Sequence, residues 1–216
     1  IIVVLNACKD NTKGVVEEFD HEELVVLNFE RGGKGFAVLE GFKEAISRKA
    51  DPIGFVDADN ATPPNAFYGL VRNLGNYDGI IANRWNRMSL IEPKRKPLFR
   101  IRSSVFNFIV RSLFLFNYRD TQCGAKLFKR EVVEKISAKL GSSGWSFDVD
   151  MLFYTRYFGF KIRSIPTEWY DRTGSKIQAR TPGLMLYSII RLRLVHSILS
   201  DFTRIYTMLP KRFKFH

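Results

Sequence analysis

Apolar and polar positions along this chain follow two periods in turn. Ile1 to Leu5 is a continuous apolar run with the length of a buried strand, and Asp10-Asn11-Thr12 offers a cap for a short helix over Lys13 to Phe19. Leu24 to Phe29 repeats the strand pattern. After the loop Arg31-Gly32-Gly33-Lys34-Gly35, Val38, Leu39, Phe42, Ala45 and Ile46 recur at helical spacing. A third apolar run, Ile53 to Val56, ends before Pro63-Pro64 and a helix from about Asn65 to Leu74. Gly79 to Ala82 reads as a strand ending at Arg84, and Ala125 to Phe128 as another. Helices at Glu131 to Lys139 and Phe147 to Phe158, then a strand at Lys161 to Ile165, complete the series. Strands alternating with helices at this spacing predict an α/β fold, a mainly parallel sheet with helices on both faces.

Two segments break the rhythm. In Arg100 to Tyr118 the polar positions Arg100, Ser104, Asn107 and Arg111 recur at helical spacing. Val105, Phe106, Phe108, Ile109, Leu113, Phe114 and Phe116 cover the broad remaining face. Gly183 to Leu209 is similar, its apolar run interrupted by Arg191, Arg193 and His196. Neither reaches the ~20 uninterrupted apolar residues of a spanning helix. Both suit amphipathic helices lying in the headgroup region of a membrane; packing on the core or on a second subunit is the alternative.

Charge strengthens the first reading. The 216 residues carry a net charge of +12, and it is localised. Arg84 to Arg102 holds seven basic residues against Glu92, and Arg172 to His216 holds nine against Asp201. Something anionic is expected beside both segments. A hydrophobic fraction of 45% excludes a disordered chain. We expect one domain over residues 1–170, followed by a basic amphipathic segment over 171–216. No charged leader precedes the first strand and no internal repeat is visible. The two cysteines, Cys8 and Cys123, form no metal-binding spacing and fit a reducing compartment. His21, His196 and His216 are scattered.

The candidate chemistry gathers at strand ends. Asp57 and Asp59 follow the strand Ile53 to Val56, where ligands collect in open α/β sheets. Two carboxylates there suit Mg²⁺ or Mn²⁺, which can in turn hold a diphosphate that the acids alone would repel; a helix cap or turn is the alternative for the pair taken alone. The glycine loop lets backbone amides and Lys34 approach phosphate at a helix N-terminus, without the spacing of a P-loop. Asn6 and Asp10 lie at the same sheet edge, where they can meet a base or ribose; for Asp10 a turn or cap is an adequate alternative. Trp145, Asp148 and Asp150 stand at a helix start; a cap accounts for one acid, while Trp145 and the other suit a sugar or acceptor wall. Lys176 and Arg180 follow the last strand, in a loop that can close over a diphosphate or serve as a solvated linker.

Taken in order, Arg31-Gly32-Gly33-Lys34-Gly35, Asp57-Ala58-Asp59, Asn83-Arg84, Arg119-Asp120-Thr121-Gln122-Cys123-Gly124-Ala125-Lys126-Leu127-Phe128, Trp145-Ser146-Phe147-Asp148 and Gly174-Ser175-Lys176 resemble the family 2 glycosyltransferases of the GT-A (Rossmann-like) fold. Within these the chain is most similar to the dolichyl- and polyprenyl-phosphate glycosyltransferases, and to the glucosyl branch more than the mannosyl. The resemblance covers nearly the whole chain. It implies an inverting, metal-dependent transfer of a sugar, with UDP-glucose the expected donor, to a lipid phosphate at the cytoplasmic face of a membrane. Two departures stand out: members of the family begin with one more strand and helix, bearing a Pro-x-x-Asn-Glu-like motif, and Leu5-Asn6 stands where many carry Asp-Asp.

On this reading Asp57 and Asp59 hold the metal, and Lys34 and Arg84 add positive charge beside the diphosphate. Asp148 is a further catalytic candidate. Asn6, Asp10, Lys34, Lys176 and Arg180 are donor contacts; Arg100, Arg102, Arg119, Gln122, Trp145 and Lys126 are candidates on the acceptor side. A family 2 enzyme acting on a polysaccharide or protein is the near alternative. A basic nucleic-acid-binding protein is the remote one, since it explains neither the paired acids nor the apolar helices; no nucleic acid is expected as partner.

Overall fold

The computed structural model describes residues 1–19, 21–93, 97–141, 147–171 and 181–195. In chain order the elements are β1 (Ile2–Asn6), α1 (Thr12–Glu17), β2 (Val25–Phe29), α2 (Lys34–Ser47), β3 (Ile53–Val56), α3 (Pro64–Asn73), β4 (Gly79–Asn83), β5 (Leu90–Glu92), α4 (Pro97–Phe114), β6 (Ala125–Phe128), α5 (Arg130–Ser137), α6 (Phe147–Tyr157), β7 (Ile162–Pro166), β8 (Glu168–Tyr170) and α7 (Thr181–Val195).

Three ladders are parallel, β1 with β2, β4 with β7 and β5 with β8. The central sheet runs β3-β6-β4-β7, and in it β6 is antiparallel to both neighbours. That single reversal matters for the site: the beginning of β6 arrives at the sheet edge where β3 and β4 end. The small β5–β8 ladder was not predicted, because three-residue strands carry no readable alternation.

Alternation sorts the core. Ile80 and Ala82 of β4 face a cluster with Leu70, Leu127 and Trp169 beneath α3, while Ile81 faces Val110, Phe114, Val149, Leu152 and Ile189. On the second face Phe42, Ile53, Phe128, Val132, Ile136 and Met151 join α2, α5 and α6 to the sheet. Helix α3 opens on Pro64, whose missing N–H is harmless at a first helical position. Helix α2 packs on both β1 and β3, tying the two sheets together. Helix α7, from the expected basic segment, packs on α4 and α6 through the fully buried Ile189.

Helix α4 departs from its sequence pattern. Asn107, expected on the polar face, is buried; its amide donates to the Arg119 carbonyl and its Oδ1 accepts from Thr121 Oγ1 at 3.2 Å. Val105 and Phe108 point outward instead. A buried loop backbone must be satisfied by some polar group, and here that need outweighs the transfer cost of leaving two apolar side chains exposed.

Candidate active site

Charged side chains from α2, β6 and α6 and from the residues that follow β3 and β4 meet at one edge of the sheet. Strand β1 ends at Asn6, whose Nδ2 donates to the Gly33 carbonyl at 3.0 Å and ties the strand end to the glycine loop. Gly33 caps α2 at φ 128°, a left-handed conformation that costs a glycine little. Lys34 is thereby the first residue of α2, aimed back over the end of β3.

There the charges alternate in sign. Lys34 Nζ lies 2.9 Å from Asp57 Oδ1 and 3.1 Å from Asp148 Oδ2. The second oxygen of Asp148 takes Lys126 Nζ at 2.5 Å, and Lys126 also donates to the Cys123 carbonyl at 2.6 Å. Both ammonium groups stand over the Phe55 ring, at 5.7 and 5.5 Å from its centroid. Beside this row Arg84 is clamped by Asp120: Nε donates to Oδ2 at 2.8 Å, Nη2 to Oδ1 at 2.9 Å, and the Arg84 backbone N–H to Oδ2. Such bidentate geometry fixes a guanidinium in direction as well as place.

Burial by itself would raise the pKa of Asp148, but Lys126 and Lys34 outweigh it and hold the carboxyl at about 2. The same contest raises Lys34 above its ordinary value, Asp148 and Asp57 overcoming desolvation. Burial would likewise lower Arg84, yet Asp120 holds it raised, and Asp120 is lowered in return. Burial pushes the Cys123 thiol up to about 11, so it stays protonated. Because the folded pKa of Asp148 is depressed from 3.8 to about 2, its contribution to stability is present above about pH 4 and lost as pH falls towards 2. Acid unfolding followed by circular dichroism should show this loss, and Asp148→Asn should remove its share of the pH dependence in that window.

Asp57 is half-buried and Asp59 exposed, with Asp59 Oδ1 accepting the Ala61 N–H at 2.9 Å. Among the described residues no group of three or more His, Cys, Asp or Glu side chains forms a metal cage. A pair of hard oxygen donors fits Mg²⁺ or Mn²⁺, which characteristically takes one or two carboxylates and completes its shell with water and substrate phosphates.

Residues 1–137 match the domain described as Glycosyl transferase family 2. The chain belongs to that family. Among curated relatives, glycosyltransferase AglD of Haloferax volcanii is 27% identical over 182 residues, covering 82% of this chain and 28% of that protein. The dolichyl-phosphate beta-glucosyltransferase of Homo sapiens is 29% identical over 189 residues, 82% of this chain and 57% of that protein. That of Saccharomyces cerevisiae is 27% identical over 234 residues, 93% of this chain and 66% of that protein. The chain thus spans only part of the relatives it matches. Among solved structures, glucosyl-3-phosphoglycerate synthase from Mycobacterium tuberculosis with Mn²⁺, uridine diphosphate and phosphoglyceric acid superposes with a TM-score of 0.63 at 15% identity, over 89% of this chain and 66% of that one. The fold is therefore that of the GT-A glycosyltransferases.

The structure gathers Asn6, Lys34, Asp57 and Arg84 of this family 2 domain, with Asp148 from the helix beyond it, at one edge. It also corrects one assignment. Lys126 is fully buried and bonded within the protein, so it cannot reach an acceptor phosphate. Arg84 stands at the end of β4 with its guanidinium paired to Asp120. Asp10 accepts from the Thr12 N–H at 3.1 Å and from the Thr12 hydroxyl, the turn its position offered alongside a donor contact. Gln122 is half-buried, its N–H on Asp120 Oδ1 at 3.2 Å. Arg119 lines a cavity of about 580 Å³ together with Asn83, Asn86, Arg87 and Asn117. Arg100 and Arg102 lie in α4, but their side chains are outside the described residues, as are Trp145, Lys176 and Arg180 altogether. The partners missed from sequence were Asp120 and Lys126; their contacts, 36 and 22 residues away, leave no signal in local spacing.

Proposed function

We propose that this chain carries the catalytic part of an inverting glycosyltransferase that moves glucose from UDP-glucose to dolichyl or polyprenyl phosphate at the cytoplasmic face of a membrane. The observation that carries the reading is the row Asp57, Lys34, Asp148, Lys126 at the carboxyl end of β3. The names of the human and yeast relatives, and the Mn²⁺ and uridine diphosphate bound by the solved neighbour, support acceptor and donor.

Asp57 and Asp59 would hold the divalent cation, which would supply neutralising charge beside the leaving diphosphate. Lys34, the first residue of α2, adds a positive charge on the same side, reinforced by the helix N-terminus. Asp148, a carboxyl near pKa 2 between two ammonium groups, is too weak a base to take a proton from a sugar hydroxyl efficiently. A phosphate acceptor needs no such help, because its attacking oxygen is already ionised near neutral pH. Asp148 thus serves as a charge partner of Lys34 and Lys126, and a phosphate acceptor requires no base from it. Arg119 and Arg87, facing one cavity beside the Arg84–Asp120 clamp, supply cations for that phosphate.

The test offers a panel of nucleotide sugars with polyprenyl phosphate, a soluble oligosaccharide or no acceptor, and identifies products by mass. Glucosyl-phosphoryl-polyprenol formed from UDP-glucose is the expected result; transfer only to the oligosaccharide refutes it. Arg119→Ala should raise the KM for the lipid phosphate about 10–100-fold, the cost of one charged hydrogen bond, with the donor KM unchanged.

A further inference from the structure

We propose that Gly124 is the positioning residue that seats the Asp57 carboxylate for its metal, an inference that rests on the metal-dependent reading above. It follows from the reversal of β6. Because β6 runs antiparallel between β3 and β4, residues 120–126 enter the sheet at the edge where those strands end. This one segment touches three separate charged groups: Asp120 grips Arg84, Lys126 grips Asp148, and between them Gly124 lies against Asp57.

The β3–β6 ladder extends one step beyond the Val56–Ala125 pair, the Asp57 N–H donating to the Gly124 carbonyl at 2.9 Å. At that register the Asp57 carboxylate lies directly over the Gly124 Cα. A Cβ placed on Gly124 would fall on Asp57 itself: the three nearest heavy atoms are Oδ2, Cγ and Oδ1 of that residue. The backbone of Gly124 is not in the left-handed region, so space alone demands glycine here. The Asp57 side chain is 40% exposed, which decides how a clash resolves. The carboxylate is the free end of a short side chain with solvent on one side, so it rotates away, whereas the strand backbone stays. A methyl group at position 124 therefore displaces a metal ligand and pulls it off Lys34, while the sheet remains intact.

The experiment combines Mn²⁺ binding with a double-substitution cycle. Free Mn²⁺ is measured by electron paramagnetic resonance in the presence of UDP, for the parent and for Gly124→Ala. The variant should bind about 10–100-fold more weakly, the range found when a ligand's supporting contact is lost. In parallel, unfolding temperatures are measured for the parent, Gly124→Ala, Asp57→Ala and the double variant. Any thermal cost of Gly124→Ala in the parent should vanish in the Asp57→Ala background, where the clashing carboxylate is gone. Unchanged Mn²⁺ affinity in Gly124→Ala overturns the inference. So does a thermal cost, or a failure to fold, that persists without Asp57, since that would mean Gly124 serves strand packing instead. If the parent itself holds no Mn²⁺ with UDP, the metal reading falls, while the cycle still decides whether Gly124 seats Asp57.

Discussion

Asp59→Asn should lower metal-dependent turnover by about 10²–10³-fold, the scale of removing one electrostatic group from a site of developing charge. Asparagine is informative because of what it keeps. Asp59 Oδ1 accepts the Ala61 N–H at 2.9 Å, and an amide oxygen serves that turn equally well. Position 59 is exposed, so stability should change by no more than about 0.5 kcal/mol. The loop thus keeps its shape and loses one negative charge beside a divalent cation. Asp57→Asn is a less clean test, because it also breaks the 2.9 Å pair with Lys34. Steady-state rates across a Mn²⁺ titration decide the matter: near-parental turnover of Asp59→Asn in limiting Mn²⁺ would remove this residue from the metal site.

The sequence was a good guide where a residue stands at the end of an element. Ile53–Val56 and Ala125–Phe128 are the strands expected, because each is a short, mostly apolar run closed by turn residues, the second broken only by Lys126. Asp57, Lys34 and Asp148 were legible for the same reason: each adjoins a boundary that periodicity locates. What pairs with what was not legible. The antiparallel course of β6 depends on strand order, which apolar patterning does not encode, and with it went the roles of Asp120, Gly124 and Lys126. A lysine in a strand reads as a solvent-facing position. Lys126 is fully buried only because Asp148 and the Cys123 carbonyl satisfy it, and those partners arrive from a separate helix and from the preceding loop. Asn107 shows the same limit in a helix. Its inward turn answers a buried loop, so polar spacing pointed to the wrong face.

That inversion sharpens the expectation for membrane attachment. Packing on the core accounts for one side of each amphipathic helix: Val110 and Phe114 of α4 and Ile189 of α7 are buried in a shared cluster. It leaves Ile101, Val105 and Phe108 of α4, at spacings of four and three, exposed by 60%, 53% and 67%. Tyr187, Ile190 and Leu194 of the neighbouring α7 are exposed on a similar stripe, interleaved with the exposed Arg191 and Arg193. Among the described residues no helix is long and apolar enough to cross a membrane. An apolar stripe bordered by cations is the arrangement that enters a headgroup layer from the side. Replacing Ile101, Val105 and Phe108 together with serine should weaken sedimentation with anionic liposomes by roughly 10²–10³-fold, since each large apolar side chain buried contributes about 1.5–3 kcal/mol and these are only partly inserted. Because all three already face solvent, the unfolding temperature should hold, whereas Ile189→Ser should lower it. Each cation adds about 1 kcal/mol near anionic lipid, so high salt should loosen the parent only in part. Use of the lipid acceptor should fall along with binding, while hydrolysis of the donor in its absence is unchanged. A parent protein that does not sediment with the liposomes, or a triple variant that binds them as tightly as the parent, would leave these faces to a protein partner instead.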